Sequence, residues 1–258
     1  MESQKLIREF GPAVHVDLSG NLPDVVVVCE HASNRVPDHL ENLGLDEEAL
    51  TRHIAWDPGA LPVAQALADH MSALLVYGGI SRLVYDCNRP PEAADAIPAR
   101  SEVFDIPANT GISEADRAAR VRNVYQPFSD TLAGQIVKHR TSLELMVTMH
   151  SFTPTYRGRE REVQIGILHG DDDQMAQAMM RTIPADLELN VQLNEPYAAV
   201  DGVAHTLNVQ AVPHGLPNVM IEVRNDLIEA SMQQAEMARK LADWIATAKA
   251  SLNEGSAS

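Results

Sequence analysis

An α/β fold, a buried sheet flanked by helices, is what this sequence predicts, and three observations predict it. Short β-branched or apolar runs recur along the chain: Val25-Val26-Val27-Val28-Cys29, Leu145-Met146-Val147-Thr148-Met149 and Asn218-Val219-Met220-Ile221. Runs of this length without polar alternation read as strands covered on both faces. Between them lie stretches of helical length and period, Ala60 to Met71 being the plainest. No internal repeat and no linker-like stretch divides the 258 residues, so a single domain over 1–258 is expected.

The elements follow in order. Residues 1–23 read as an arm leading to the first strand, Val25 to Cys29. Pro58-Gly59 introduces an amphipathic helix from Ala60 to Met71. Leu74 to Tyr77 is a strand closed by Gly78-Gly79, and Leu83-Val84-Tyr85 is a further apolar run. Residues 90–112, rich in Pro, Ala and Asp, read as a long surface loop, and loops of that length usually carry function or motion. Ser113, followed by Glu114 and Asp116, caps a helix running to about Arg140, which Pro127 should kink or split. Val163 to Leu168 is a strand and Asp171 to Arg181 a helix. Residues 190–217, with Pro, Gly, Asn and two His, read as irregular. Glu229 to Leu252 is a closing amphipathic helix, and 253–258 a polar tail that frays.

Composition narrows the function. A net charge of −16 argues against nucleic acid, whose phosphates need Lys and Arg, and against anionic membranes. No run approaches the roughly 20 apolar residues of a membrane span. Met1-Glu2-Ser3-Gln4-Lys5 lacks the features of a secretory signal, and two cysteines, Cys29 and Cys87, make no disulfide framework. A cytoplasmic protein with reduced, buried thiols is expected. The aromatic content of 4% offers no interface patch from which to read an oligomeric state. The arginines, in contrast, are grouped near the motif segments: Arg82, Arg89, Arg157, Arg159, Arg161 and Arg224. Local guanidinium groups in an acidic protein suit a small anionic substrate. Arg159 and Arg161 are expected to form surface ion pairs instead.

Three predicted strands end in residues that handle metals or protons. The first runs into Glu30-His31, the second into His150, the third into Glu222-Val223-Arg224. Ligands of open α/β sheets bind beyond the carboxyl ends of the strands, so these side chains are placed to meet. Two strand-end histidines suggest a divalent metal, and a carboxylate beside it suggests hydrolysis. A third ligand is needed. Glu30 neighbours His31 and so points to the opposite face, Asn34 is a weak neutral ligand, and Asp57 at a helix start is preferred, with a plain helix cap as its alternative. Glu222, at the end of a buried strand, is expected to act as general base, or else to pair with Arg224. Arg82, Asn88 and Arg89 form a donor cluster for a carboxylate or an oxyanion, unless Asp86 and Arg89 simply pair. His53, His70, His139, His169 and His205 have no comparable setting.

Taken together, Glu30-His31-Ala32-Ser33-Asn34, Asp57 with Gly59, Ser81-Arg82 through Asp86-Cys87-Asn88-Arg89-Pro90, His150-Ser151-Phe152-Thr153-Pro154, Asn194-Glu195-Pro196-Tyr197 and Ile221-Glu222-Val223-Arg224-Asn225-Asp226-Leu227 resemble the N-formylglutamate amidohydrolase family. More distantly, Asn88-Arg89, His150-Ser151-Phe152 and Glu222-Val223-Arg224-Asn225 look like zinc carboxypeptidase segments. The resemblance implies a three-layer fold of the zinc-carboxypeptidase, or phosphorylase/hydrolase-like, type: a mixed sheet between helices. It also implies a zinc ion held by His31, Asp57 and His150, catalysis by Glu222 with Arg89, and substrate contacts from Arg82, Asn88, Arg89 and Arg224. The His-x-x-Glu ligand pair of carboxypeptidases is replaced here by His31-Ala32-Ser33-Asn34. The expected activity is metal-dependent hydrolysis of an N-acyl amino acid such as N-formylglutamate, as in amino-acid catabolism. A peptide or muramoyl amidase, or a metal-free binder of acyl amino acids, are the alternatives.

Overall fold

The computed structural model describes residues 10–18 and 22–255. Seven strands form one mixed sheet: β1 (Val14–Leu18), β2 (Val25–Cys29), β3 (Leu74–Gly78), β4 (Leu145–Phe152), β5 (Ile165–Leu168), β6 (Val191–Leu193) and β7 (Asn218–Arg224). Their order is β1-β3-β2-β4-β7-β5-β6. The central four, β3, β2, β4 and β7, are parallel. β1 joins one edge antiparallel, and β5 runs antiparallel to β7.

Both faces are covered, which is why the central strands are apolar throughout. Every residue of β2 and β4 is buried. Val25, Val27, Cys29, Val147, Met149, Val219 and Ile221 pack with helices α2 (Ala60–Met71), α5 (Gln174–Arg181) and α6 (Ser231–Gly255). Val26, Val28, Met146 and Met220 face the opposite layer, which holds Leu83, Tyr85 and the Phe128, Leu132 and Ile136 side of helix α4 (Gln126–Lys138). Full burial of each such side chain contributes about 1.5–3 kcal/mol relative to exposure. The two short helices are α1 (Glu47–Thr51), capped by Asp46, and α3 (Glu114–Arg120), capped by Ser113.

Several expectations need correction. Five residues of the presumed N-terminal arm, Val14–Leu18, form the edge strand β1, while residues 1–9 and 19–21 lie outside the described residues. The 190–217 stretch contains the edge strand β6 and a helical turn, Leu207–Ala211. Leu83-Val84-Tyr85, expected only as an apolar run, is buried and lies at a turn. Its residues are apolar because they line the second layer, and apolarity without period carries no strand signal. The expected break at Pro127 takes a milder form: the backbone stays helical at the junctions, and a π turn, Val121–Tyr125, interrupts the α register just before α4, whose first turn holds the proline. The last helix continues to Gly255, and only 256–258 of the expected tail lie outside the described residues.

The two-residue period decides which side chains share the site. With Met146 and Met220 facing the second layer, Thr148, His150 and Glu222 face it too. Registry places Glu222 directly beside His150 on the neighbouring strand.

Candidate active site

Past the end of β2 the chain passes through His31, and past α1 it returns to the sheet edge at Asp57, whose amide donates to the His31 carbonyl at 2.9 Å. Gly59 makes this return feasible. Its φ is +81°, and a Cβ there would lie 2.5 Å from the Ile228 carbonyl oxygen. Gly78 likewise leaves room at the end of β3 for the Glu30 carbonyl, 2.2 Å from where a Cβ would stand.

Three buried side chains converge at this edge. Asp57 Oδ2 lies 3.3 Å from His31 Nδ1 and 3.0 Å from His150 Nδ1. One ligand atom from each of the three falls within 4.8 Å of the others. The far nitrogens are backed by carboxylates: His31 Nε2 is 2.7 Å from Asp86 Oδ1, and His150 Nε2 is 3.1 Å from Glu30 Oε2, as an ion pair. Arg82 bridges the arrangement, with Nη1 3.1 Å from Asp57 Oδ1 and Nη2 3.3 Å from Asp86 Oδ2.

This donor set fits a divalent cation. With protons alone, both imidazoles would have to be doubly protonated to satisfy a carboxylate at each nitrogen. Burial opposes charge on both rings, but Glu30 and Asp57 still raise the His150 pKa well above its ordinary value, and Asp86 and Asp57 raise that of His31. A cation held by these side chains would remove this demand, because the His31 Nε2–H could then donate to Asp86 while Glu30 stays beside His150 Nε2 as its ion-pair partner, and such outer carboxylates are typical of metal-binding histidines. Despite burial, His31, His150 and Arg82 hold Asp57 well below the usual carboxylate range. Two imidazoles and a carboxylate are the donors that zinc takes in hydrolytic sites.

Glu222 stands apart from these pairings. Its Oε2 is buried without a hydrogen-bond partner, and the side chain lines the cleft. Burial pushes the carboxyl up to about 7, with Asp57 adding to the rise and His150 and Arg82 opposing it. A carboxyl poised near neutrality is suited to accept and return a proton.

The cleft has a volume of about 780 Å³, within the range of small-molecule pockets. Its outer walls come from Ser101 and Glu102, from Tyr156 to Val163, and from Glu195 to Val203.

His31, His150, Asp57, Glu222, Arg82, Asn88 and Arg89 all border this cleft. Asp57 does not cap the following helix; Gly59 holds the cap position and no side chain caps it. Asn34 donates to the Leu50 carbonyl, away from the histidines, and Glu30 backs His150 from behind. Arg224 is not among the cleft-lining residues, and it pairs with Asp226 and the Arg161 carbonyl, leaving Glu222 free. Arg89 lines the cleft. It pairs with Asp95, not Asp86, and donates to the carbonyls of Asn88, Asp201 and Gly202, so it anchors a wall. The Asn88 amide is tied to Val203 and Thr206.

Sequence reasoning missed His53, whose Nδ1 lies 3.5 Å from Asp57 Oδ1 and whose pKa burial lowers to about 4. Its position four residues before Asp57 was the available signal. It also missed Tyr197 and Arg161. Arg161 and Arg159 were expected in surface ion pairs, yet neither meets a carboxylate among the described residues, and Arg161 lines the cleft.

The family match places the chain among amidohydrolases, enzymes acting on C–N bonds other than peptide bonds. The model of the N-formylglutamate amidohydrolase family matches residues 23–229, and the chain belongs to that family. No curated protein matches it. Among solved structures it is similar to the gene product Atu2144 from Agrobacterium tumefaciens, with 46% identity over 95% of this chain and 98% of that one and a TM-score of 0.91. The N-formylglutamate amidohydrolase from Ralstonia eutropha JMP134 shares the fold at 15% identity, with a TM-score of 0.60 over 94% of this chain and 99% of that one. The tripeptide-bound cell shape determinant Csd4 from Helicobacter pylori also shares it, at 10% identity and a TM-score of 0.52 over 90% of this chain and 54% of that one.

Proposed function

We propose that this protein is a metal-dependent hydrolase of N-acyl amino acids, with N-formylglutamate as the type substrate and zinc as the metal. The observation that carries the reading is the pair of Nδ1 atoms converging with Asp57 Oδ2 while both Nε2 atoms face carboxylates. His31, Asp57 and His150 would hold the ion, which when bound supplies Lewis acidity and a more acidic water. Glu222 takes a proton from the attacking water and delivers it to the departing amine, so that amide and water become carboxylic acid and amine. Asp86 and Glu30 fix the imidazole orientations, and Arg82 holds Asp57 and Asp86 in place. No described helix is long and apolar enough to cross a membrane. The free, buried Cys29 and Cys87 support a cytoplasmic setting.

The reading competes with a peptide or muramoyl amidase and with a metal-free binder. A metal-free binder would follow if Asn34 stood as a deficient ligand in the cluster, but Asn34 donates to the Leu50 carbonyl instead. The test is metal analysis of the purified protein with a screen of N-formyl and N-acyl amino acids, peptides and muropeptides. One bound metal per chain and metal-stimulated release of the amino acid are expected. The absence of both metal uptake and metal-stimulated hydrolysis would overturn the reading, and cleavage of muropeptides alone would replace the substrate class.

A further inference from the structure

Three arginines line the cleft: Arg82, Arg89 and Arg161. Arg82 is neutralised by Asp57 and Asp86, and Arg89 by Asp95. Arg161 has no carboxylate partner among the described residues. Its Nη1 donates to the Thr153 carbonyl at 3.2 Å and its Nη2 to the Tyr197 hydroxyl at 3.0 Å. That hydroxyl does not neutralise it, because burial and Glu222 push the Tyr197 pKa up to about 12. The guanidinium is instead boxed by rings, 5.4 Å from Phe152, 4.7 Å from Tyr156 and 5.0 Å from Tyr197. Stacking and two hydrogen bonds fix the plane of the fork while leaving its charge unmatched. A half-buried, oriented and uncompensated cation in a cleft is a carboxylate receptor.

Which carboxylate it receives follows from its place. In an N-acyl amino acid the α-carboxylate is one carbon from the scissile nitrogen and so stays close to the reacting centre. Arg161 makes no hydrogen bond to His31, Asp57 or His150, and the partners of its guanidinium hydrogen bonds, Thr153 and Tyr197, lie on the loops after β4 and β6. We infer that Arg161, held by Tyr197 and its ring box, is the specificity determinant that binds a carboxylate on the substrate side chain, selecting acyl derivatives of acidic amino acids over their neutral amides. This rests on the hydrolase reading above.

N-formylglutamate and N-formylglutamine share the scissile amide and α-carboxylate and differ only in the distal charge, so they form the test pair. For Arg161→Met, which keeps much of the packing stem, kcat/KM on the acid should fall by about 10- to 100-fold, the scale of a lost charge-assisted hydrogen bond, mainly through KM. The neutral substrate should change little, and metal content should be unchanged. Tyr197→Phe, a milder second variant, should weaken the same preference in the same direction. Equal losses on both substrates, or none on either, would overturn the assignment. Calorimetric binding of the two compounds to chelator-treated protein separates it from the hydrolase reading. Charge-dependent binding that Arg161→Met abolishes, with no turnover by metal-loaded wild type, would sink the hydrolase and keep the receptor. Wild-type binding that ignores the distal charge would sink the receptor alone.

Discussion

At the scale of single residues, the site is a set of buried charges whose cost the protein tolerates for chemistry. Glu222 is the clearest case: a carboxyl held near 7 by burial is destabilising at any pH above its unfolded value of about 4.3, because the unfolded chain ionises more readily. Glu222→Gln should therefore raise the stability of the metal-free protein at pH 8, on the order of 3 kcal/mol by the pKa difference, while kcat falls by about 10²-fold or more. Chemical denaturation at pH 8 and steady-state kinetics read both effects. A wild-type rate in this variant would remove Glu222 as the base. Since the base must be ionised, activity falls as pH drops through the Glu222 pKa, which a bound cation would draw below 7. That acidic limb of the kcat/KM profile should vanish in Glu222→Gln. Asp57→Asn keeps the shape but halves the ligand's acceptor strength and removes its charge. Metal affinity should drop by tenfold or more, read by competition with a chelating dye, and unchanged affinity would exclude Asp57 as a ligand.

At the scale of elements, the decisive piece is the turn that returns Asp57 to the sheet edge. Gly59 sits at φ +81° against the Ile228 carbonyl, so Gly59→Ala adds left-handed strain and a 2.5 Å backbone contact. A loss of about 2 kcal/mol is expected, with metal affinity lowered as Asp57 shifts, measured by denaturant unfolding with and without metal. An unperturbed stability would mean that the turn can relax without moving Asp57. The strands need no such special residues. β4 and β7 place His150 beside Glu222 simply because parallel neighbours in register present side chains of the same parity to the same face.

At the scale of the whole molecule, the proposed metal site would link metal, protons and folding. The metal-free histidines have raised pKa values, so their ion pairs stabilise the fold fully below about 6.5, and this contribution is lost as pH rises through the folded values. Asp57 and Asp86 are depressed, so theirs is present above about 3.9 and is lost as pH falls through the folded values. Metal must displace the imidazole protons, so its affinity should rise with pH over the neutral range. Saturating zinc at about 100 times its Kd should add about 2.7 kcal/mol, a Tm increase of several degrees that shrinks toward pH 5. Calorimetry with zinc and with chelator tests this, and a Tm indifferent to metal at every pH would contradict the site.

The sequence by itself determined the layered α/β fold, the central strands, the helix from Ala60 to Met71 and the strand-end position of His31, His150 and Glu222. These follow from local periodicity, since a fully covered strand must be apolar and the residue after it emerges at the sheet edge. Edge strands β1 and β6 were not legible, because their half-exposed residues are held by a neighbour's hydrogen bonds rather than by an apolar pattern. Only the tertiary structure decided how the charges pair. Asp86 goes to His31 and Arg82, Arg89 to Asp95, Arg224 to Asp226, while Arg161 is left without a carboxylate. Partner choice among charged side chains depends on distances of a few ångströms, whether the partners are 55 residues apart, as His31 and Asp86 are, or two apart, as Arg224 and Asp226 are, and apolar periodicity carries none of that information.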